Sequence, residues 1–365
     1  GHNGGVYGIV IESASLVVAG DFTTYNGSTS VRLARLNSST AALDTSFSTA
    51  LGSGAGATVR LLARDGSGRY VIAGDFTAVN GAVNTTRAAR LTSSGAVDST
   101  FNPGSGPDAI VRAMVLDGNG RVFMGGSFTA VNGVTLNGFA RLTSAGTVDG
   151  TLASGSEITG AINATARQSN GKLLIAGSFT AVSGVARSGI ARLNTDGSLD
   201  TTFDPGTGVA GGAVNTVFVD ESGNVIIGGA FTSVRGLANT AYLTMLDSFG
   251  AVDQTFTNNL AAGFNGVVNA LATNAAGSIL VGGDFTTMNG SLFARVTLLT
   301  NSVAFSALRG QVAVNFNDPS VTGGTVNSIA VEAGGTIIIG GAFTSSGSQA
   351  RNGVARLSPV GLTDT

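Results

Sequence analysis

Short apolar runs separated by Gly, Asn and Asp turns recur along the chain, and the stretch from residue 162 to 203 shows the pattern most clearly. It reads Ile162 to Ala166, a turn at Ser169-Asn170-Gly171, Lys172 to Phe179, a loop, Ile190 to Asn194, a turn at Thr195-Asp196-Gly197, and Leu199 to Phe203. Runs of this length between such turns predict antiparallel strands joined as hairpins, four to a unit. The unit repeats. Gly-x-Phe-Thr occurs at Phe22, Phe76, Phe128, Phe179, Phe231, Phe285 and Phe343, with spacings of 54, 52, 51, 52, 54 and 58 residues. The units span about 4–55, 56–107, 108–158, 159–211, 212–264, 265–322 and 323–365.

A four-stranded meander with apolar residues on both faces cannot stand alone. Stacking such sheets radially buries both faces and leaves only short edges, and propeller repeats have lengths that bracket the one seen here. A parallel β-helix would need coils of about half that length. The pattern predicts an all-β fold over 1–365, a single seven-bladed β-propeller of four-stranded antiparallel blades. The chain opens at a first strand and ends within a fourth, so the ring is expected to close by blade packing, without a strand shared between the termini.

The order of elements, with Gly-Gly or Ala-Gly ending the second strand, resembles a kelch-type blade. Gly-x-Phe-Thr, followed by Ala-Arg-Leu and then Leu-Asp-Thr-Thr-Phe, resembles the bacterial delta-60 repeat propeller family, and the likeness runs over essentially the whole chain. The resemblance implies a surface or secreted bacterial protein. It supplies no catalytic residues.

Within the repeat, the third strand carries Arg35, Arg90, Arg141, Arg192, Arg295 and Arg356, with Met245 in the fifth unit. The fourth carries Asp44, Asp98, Asp149, Asp200, Asp253 and Asp364. In four of the five units that keep both, Arg and Asp lie eight residues apart across a tight turn, which makes them cross-strand neighbours and predicts a structural clasp. The Phe of the second strand and the Phe ending the fourth (Phe47, Phe101, Phe203, Phe256, with Leu152 in unit three) are expected between blades. The Gly two residues before each anchor Phe is expected to permit a bulge or a close backbone approach.

Recognition residues usually sit on variable loops held by a rigid scaffold. The loops between second and third strands share one face with the connections between blades, and that long-loop face is the expected binding face. Its candidates are Tyr25, Arg87, Asp108, Arg187, Arg235, Phe264, Phe293, Arg309 and Arg351. A second set follows the first apolar position of each innermost strand: Tyr7, Arg60, Arg112, Asn163, Asn215, Asn269 and Asn327. These are expected to ring the mouth of the central channel, either offering amide and guanidinium donors to a ligand or capping strand entrances. Residues between Thr300 and Pro319 interrupt the sixth unit.

Composition narrows the function further. Charged residues make up 11% with a net charge of -2, which provides no basic field for nucleic acid. No run approaches the roughly 18 apolar residues of a membrane span, so no membrane insertion is expected. The absence of cysteine removes disulfides, thiolate metal sites and cysteine nucleophiles. Asp21, Asp75 and Asp284 precede anchor phenylalanines, where other units have Ser127, Ser178, Ala230 and Ala342. No Asp-x-Asp-x-Asp-Gly loop occurs, and neither a metal nor another cofactor is expected. The only histidine, His2, is expected at a frayed terminus, which leaves no histidine for a triad. Any export signal is expected to lie outside this sequence. The leading expectation is a non-catalytic interaction or adhesion module at the cell surface or outside the cell, with a protein or glycan partner. A purely structural spacer is the alternative, and a hydrolase built on paired carboxylates is a distant third.

Overall fold

A computed structural model of the chain describes residues 1–152, 157–301, 309–313 and 315–364. Among these residues, seven three-stranded antiparallel sheets share one topology, each running inner, middle, outer in chain order. They are Val6–Ile11, Ser15–Gly20 and Leu33–Asn37; Val59–Arg64, Tyr70–Gly74 and Ala88–Leu91; Val111–Leu116, Val122–Gly126 and Phe139–Leu142; and Ile162–Arg167, Leu173–Gly177 and Ile190–Leu193. The remaining three are Val214–Val219, Val225–Gly229 and Leu243–Leu246; Val268–Thr273, Ile279–Gly283 and Val296–Leu299; and Val326–Val331, Ile337–Gly341 and Val354–Leu357. Each inner strand packs on the next, and that of the seventh sheet packs on that of the first. The middle strands are almost wholly buried, because both of their faces meet neighbouring sheets.

The expected fourth strand is reduced to a single bridge. Leu36 pairs with Leu43, Leu91 with Val97, Leu142 with Val148, Leu193 with Leu199, Leu246 with Val252, Leu299 with Val312 and Leu357 with Thr363. Beyond the bridge two units turn helical, α1 at Thr45–Leu51 and α2 at Gln254–Leu260. Asp44 and Asp253 cap them by accepting from the Phe47 and Phe256 amides, and Phe47 with Leu51, or Phe256 with Leu260, forms the buried face. Units two and four cannot continue in this way. Pro103 and Pro205 stand two residues after Phe101 and Phe203, and the residue before a proline is driven out of the helical region.

The inner strands share one irregularity. Register slips between Val6 and Gly8, Val59 and Leu61, Val111 and Ala113, Ile162 and Ala164, Val214 and Thr216, Val268 and Ala270, and Val326 and Ser328. Each slip is a bulge opposite the repeat glycine. At Gly177, for example, an added Cβ would collide with the Ala161 carbonyl oxygen, so the glycine allows the backbone approach that the bulge needs.

The loops between middle and outer strands are tight hairpins of similar build, less variable than their sequences suggest. In unit three Ala130–Val131 pairs with Val134–Thr135 across Asn132 and Gly133, whose φ values of 49° and 75° make a type I′ turn. The connections between sheets pair onto these hairpins, as Ile158–Thr159 does onto Ala181–Val182.

Candidate functional site

Each inner-strand bulge leaves one residue unpaired and re-aims its side chain. Those residues are Tyr7, Arg60, Arg112, Asn163, Asn215, Asn269 and Asn327, and all seven line one cavity of about 450 Å³ at the loop-face end of the inner strands. Leu61, Met114 and Val217 form its apolar wall.

Much of this ring is held by its own hydrogen bonds. The Tyr7 hydroxyl donates to Asp21 at 3.1 Å, and burial followed by the Asp21 charge holds its pKa above the usual tyrosine value. Arg60 binds Asp75 through Nε and Nη2, the latter at 2.7 Å. Asn215 donates to Asn269 at 3.0 Å, Asn269 to Asp284 and Thr325 at 3.2 Å, and Asn163 to the Val214 carbonyl at 3.1 Å. Asp21, Asp75 and Asp284 thus serve the ring, one sheet each. Among the described residues two members of the ring are exceptions, Arg112 first: its exposed guanidinium has neither a hydrogen-bond partner nor an ion pair. The Asn327 side chain likewise has none.

On the long-loop face the structure corrects several expectations. Tyr25 and Phe264 are buried, 7% and 4% exposed, because the hairpins fold back over the sheet ends. Tyr25 donates its hydroxyl to the Ala41 carbonyl, and Phe264 packs edge-on against Phe285. Phe293 is partly buried against the same core. Asp108 clips a hairpin by accepting from the Thr129 and Ala130 amides, the role that Asn3 and Asn265 fill in other units. Arg87 donates to the Pro107 carbonyl, Arg187 to Ala186, Arg235 to Asp204, and Arg351 to Ala350 and Asp364. Arg295 does not belong to the clasp series. It stands before its strand at φ 73°, and Leu298 takes the register position that Arg192 holds in the fourth sheet.

A feature of this face escaped sequence reasoning. Val83, Val134, Val185, Leu237 and Leu292 follow the turn glycine by one or two residues in units two to six, and all are exposed, from 38% to 84%. The signal was present as an aliphatic residue at a hairpin tip, where folding asks for none.

The opposite, turn face is scaffold. Arg35, Arg90, Arg141 and Arg192 pair with Asp44, Asp98, Asp149 and Asp200 at 2.7 Å, and Arg356 with Asp364 at 3.6 Å. Each guanidinium also reaches the following sheet, donating to the carbonyls of Ser93, Ser144, Thr195 and Ser248, and Arg356 donates to Ser38 of the first unit. Arg35, Arg90 and Arg192 lie 4.9–5.0 Å from the Phe47, Phe101 and Phe203 rings. At Asp200 burial acts to raise the carboxyl pKa, but hydrogen bonds from Lys172, Thr202 and Arg192 outweigh it and hold the group well below the usual range. Arg309, expected on the long-loop face, lies on this one. The fifth unit has Met245 in place of arginine, and Arg309 of the sixth-unit insertion reaches back to Asp253 at 3.0 Å and to the Met245 sulfur. The insertion thereby returns a guanidinium to the clasp that lacks one. Residues 302–308 and 314 of that insertion lie outside the described residues.

His2 is not frayed: it is 2% exposed, with its ring 4.1 Å from that of Phe22 and 4.7 Å from that of Tyr25. Burial, then the nearby terminal amine, lowers its pKa to about 3. Among the described residues no group of three or more His, Cys, Asp or Glu could hold a metal, and no helix is long and apolar enough to cross a membrane.

This is a β-propeller repeat protein, all-β with two short helices among the described residues. Five stretches, 15–47, 66–101, 118–151, 168–203 and 335–365, match the family model described as a domain of unknown function (DUF5122) beta-propeller. A search of curated proteins returns no match. Among solved structures the chain is similar to the WD40 β-propeller domain of Doa1, with TM-score 0.55 and 15% identity over 98% of this chain and 93% of that one. It is also similar to the extracellular domain of the putative one component system BT4673 from B. thetaiotaomicron, with TM-score 0.53 and 11% identity over 98% of this chain and 40% of that one. At these identities the likeness concerns the fold.

Proposed function

We propose that this chain is a seven-bladed propeller of the delta-60 type, acting as a non-catalytic interaction module of a bacterial surface or secreted protein and binding a protein or glycan partner through its long-loop face. The observation that carries this reading is the convergence of seven bulged polar side chains on one cavity of about 450 Å³, with Arg112 unpaired and exposed at its rim. Left free, the Arg112 guanidinium is a ready partner for a carboxylate or other anionic group on a ligand. The exposed aliphatic tips on the same face supply apolar contact around the polar mouth. The likeness to an extracellular domain agrees with a place outside the cell. A structural spacer is the second reading, favoured by the uniform build of the loop hairpins.

The test is a glycan and bacterial-surface binding panel, with any hit repeated on Arg112→Ala and Asn327→Ala. Specific binding weakened about tenfold or more by these changes, in a chain that melts as the wild type does, supports the proposal. Binding that ignores both changes contradicts a role for the mouth, and no binding anywhere favours the spacer.

A further inference from the structure

One repeat position beside the cavity at the loop-face end of the inner strands is filled in two ways. In each unit the residue before the anchor phenylalanine donates its amide to the carbonyl two residues before the bulged side chain, as Asp75 does to Thr58, Ser127 to Ile110, Ala230 to Ala213 and Asp284 to Val267. The position is thus held alike whatever side chain it carries. Where it carries aspartate, the carboxylate takes up the bulged residue of its own unit. Asp75 accepts from Arg60 Nε at 2.9 Å and from Nη2 at 2.7 Å, Asp21 accepts from the Tyr7 hydroxyl, and Asp284 from Asn269.

Unit three has the cation without the anion. Arg112 stands before Ser127 at the spacing of Arg60 before Asp75, and a serine hydroxyl brings neither charge nor a second oxygen to the guanidinium. Units four and five supply no carboxylate from this position either, since they carry Ser178 and Ala230. The three carboxylates of the series therefore all lie on the stretch from unit six round to unit two, and the free Arg112 borders the stretch that has none. On that stretch Thr165, which lines the cavity, has a buried hydroxyl with no hydrogen-bond partner.

Resting on the reading that this cavity binds a ligand, we propose that its unit-three side is a carboxylate subsite and that the carboxylate belongs to an acidic saccharide such as a hexuronate. The ligand's carboxylate takes beside Arg112 the place that Asp75 takes beside Arg60, accepting two parallel bonds from one guanidinium edge. A saccharide suits the rest of the wall. Sugar hydroxyls both donate and accept, as do the amides of Asn163, Asn215 and Asn327 and the hydroxyls of Thr165 and Thr216 around the cavity. Its volume of about 450 Å³ falls within the range of small-molecule sites, about 300–1,000 Å³. A peptide with acids on successive residues suits it less, because the further charges meet Asp21, Asp75 and Asp284 on the other side of the ring.

The probe is trigalacturonate, titrated calorimetrically into the full chain beside its methyl ester, which keeps the hydroxyls but not the charge, and beside a tetrapeptide of alternating Ser and Asp. The acid is expected to bind at least about tenfold more tightly than either. Ser127→Asp gives Arg112 the partner that Arg60 has, on a backbone that already holds aspartate in three units. It should weaken the acid at least about tenfold while melting no lower than the wild type. Ala230→Asp, a charge-matched change at the same position of unit five, should weaken it less than about threefold. No binding of the acid, equal binding of acid and ester, equal loss in the two variants or tighter binding of the peptide would overturn the subsite. A hit on the surface panel that Ser127→Asp leaves unchanged would overturn it too, yet would leave the interaction module standing; the module fails only if nothing on that panel binds.

Discussion

Arg141 and Asp149 show what a single clasp contributes. Both are nearly buried, 2% and 9% exposed, and their closest approach is 2.7 Å. Arg141→Ala leaves a buried carboxylate without its partner, which costs about 3–5 kcal/mol; urea unfolding should show it as a lower midpoint with an unchanged slope. The same groups set an acid limit. Asp98, Asp149 and Asp200 have pKa values below normal because hydrogen bonds from threonine, arginine and, at Asp200, Lys172 outweigh the opposing effect of burial. A depressed carboxyl adds stability above its unfolded value of about 3.9 and loses it as pH falls through the folded one. Denaturation midpoints should therefore hold from pH 7 to about 4.5 and drop below that. His2 works in the same sense at higher pH. Its pKa of about 3 means the unfolded terminus binds more protons between about 6.5 and 3, so the protection factors of the residue 3–6 amides, exchange rates corrected for the intrinsic pH dependence, should fall as pH drops across that interval. The clasp pairs were legible in the sequence because spacing across a two-strand turn fixes them. Arg295 misled because it sits three residues early, at a left-handed position that composition does not reveal.

The element scale is where sequence reading was least complete. Four strands per unit were expected, yet after the bridge residue the chain is governed by its next few side chains: an aspartate cap and a Phe–Leu pair give α1 and α2, and Pro103 or Pro205 forbids them. The aromatic residue sits between neighbouring sheets either way. Phe203→Ala, at a fully buried site, should cost about 3–5 kcal/mol, measured as a loss of unfolding free energy. Arg309 illustrates the other limit, since nothing in its local sequence says that it completes the Met245 unit; only the packing of the sixth turn on the fifth does. Arg309→Ala should lower stability by about 1–3 kcal/mol, the cost of leaving the Asp253 carboxylate and its neighbours without that donor. Introducing arginine at Met245 in that background is expected to restore part of it, read by the same denaturation curve.

At the scale of the molecule, the seven-fold sequence repeat, the glycine beside each bulge and the shared position of the seven residues that line one cavity could be read from the sequence, because one position repeated seven times averages out local noise. The exposed aliphatic tips could not, since hydrophobic residues in a loop look the same whether they bury or project: Phe264, in the connection that bridges onto Met288, is buried, while Leu292 of the same hairpin projects. The two faces of the ring now carry different demands. Carboxylate clasps and turn carbonyls occupy one, while the unpaired Arg112, the channel mouth and five aliphatic tips occupy the other. The direct test compares three chains on the same surface-binding panel: wild type; a crown variant with Val83, Val134, Val185, Leu237 and Leu292 changed to Ser; and a turn-face control, Phe249→Ser, which removes a residue 68% exposed on the other side. The account predicts binding that the crown variant loses and the control keeps, with all three melting alike. Binding that survives in the crown variant and fails in the control would place recognition on the turn face and contradict it.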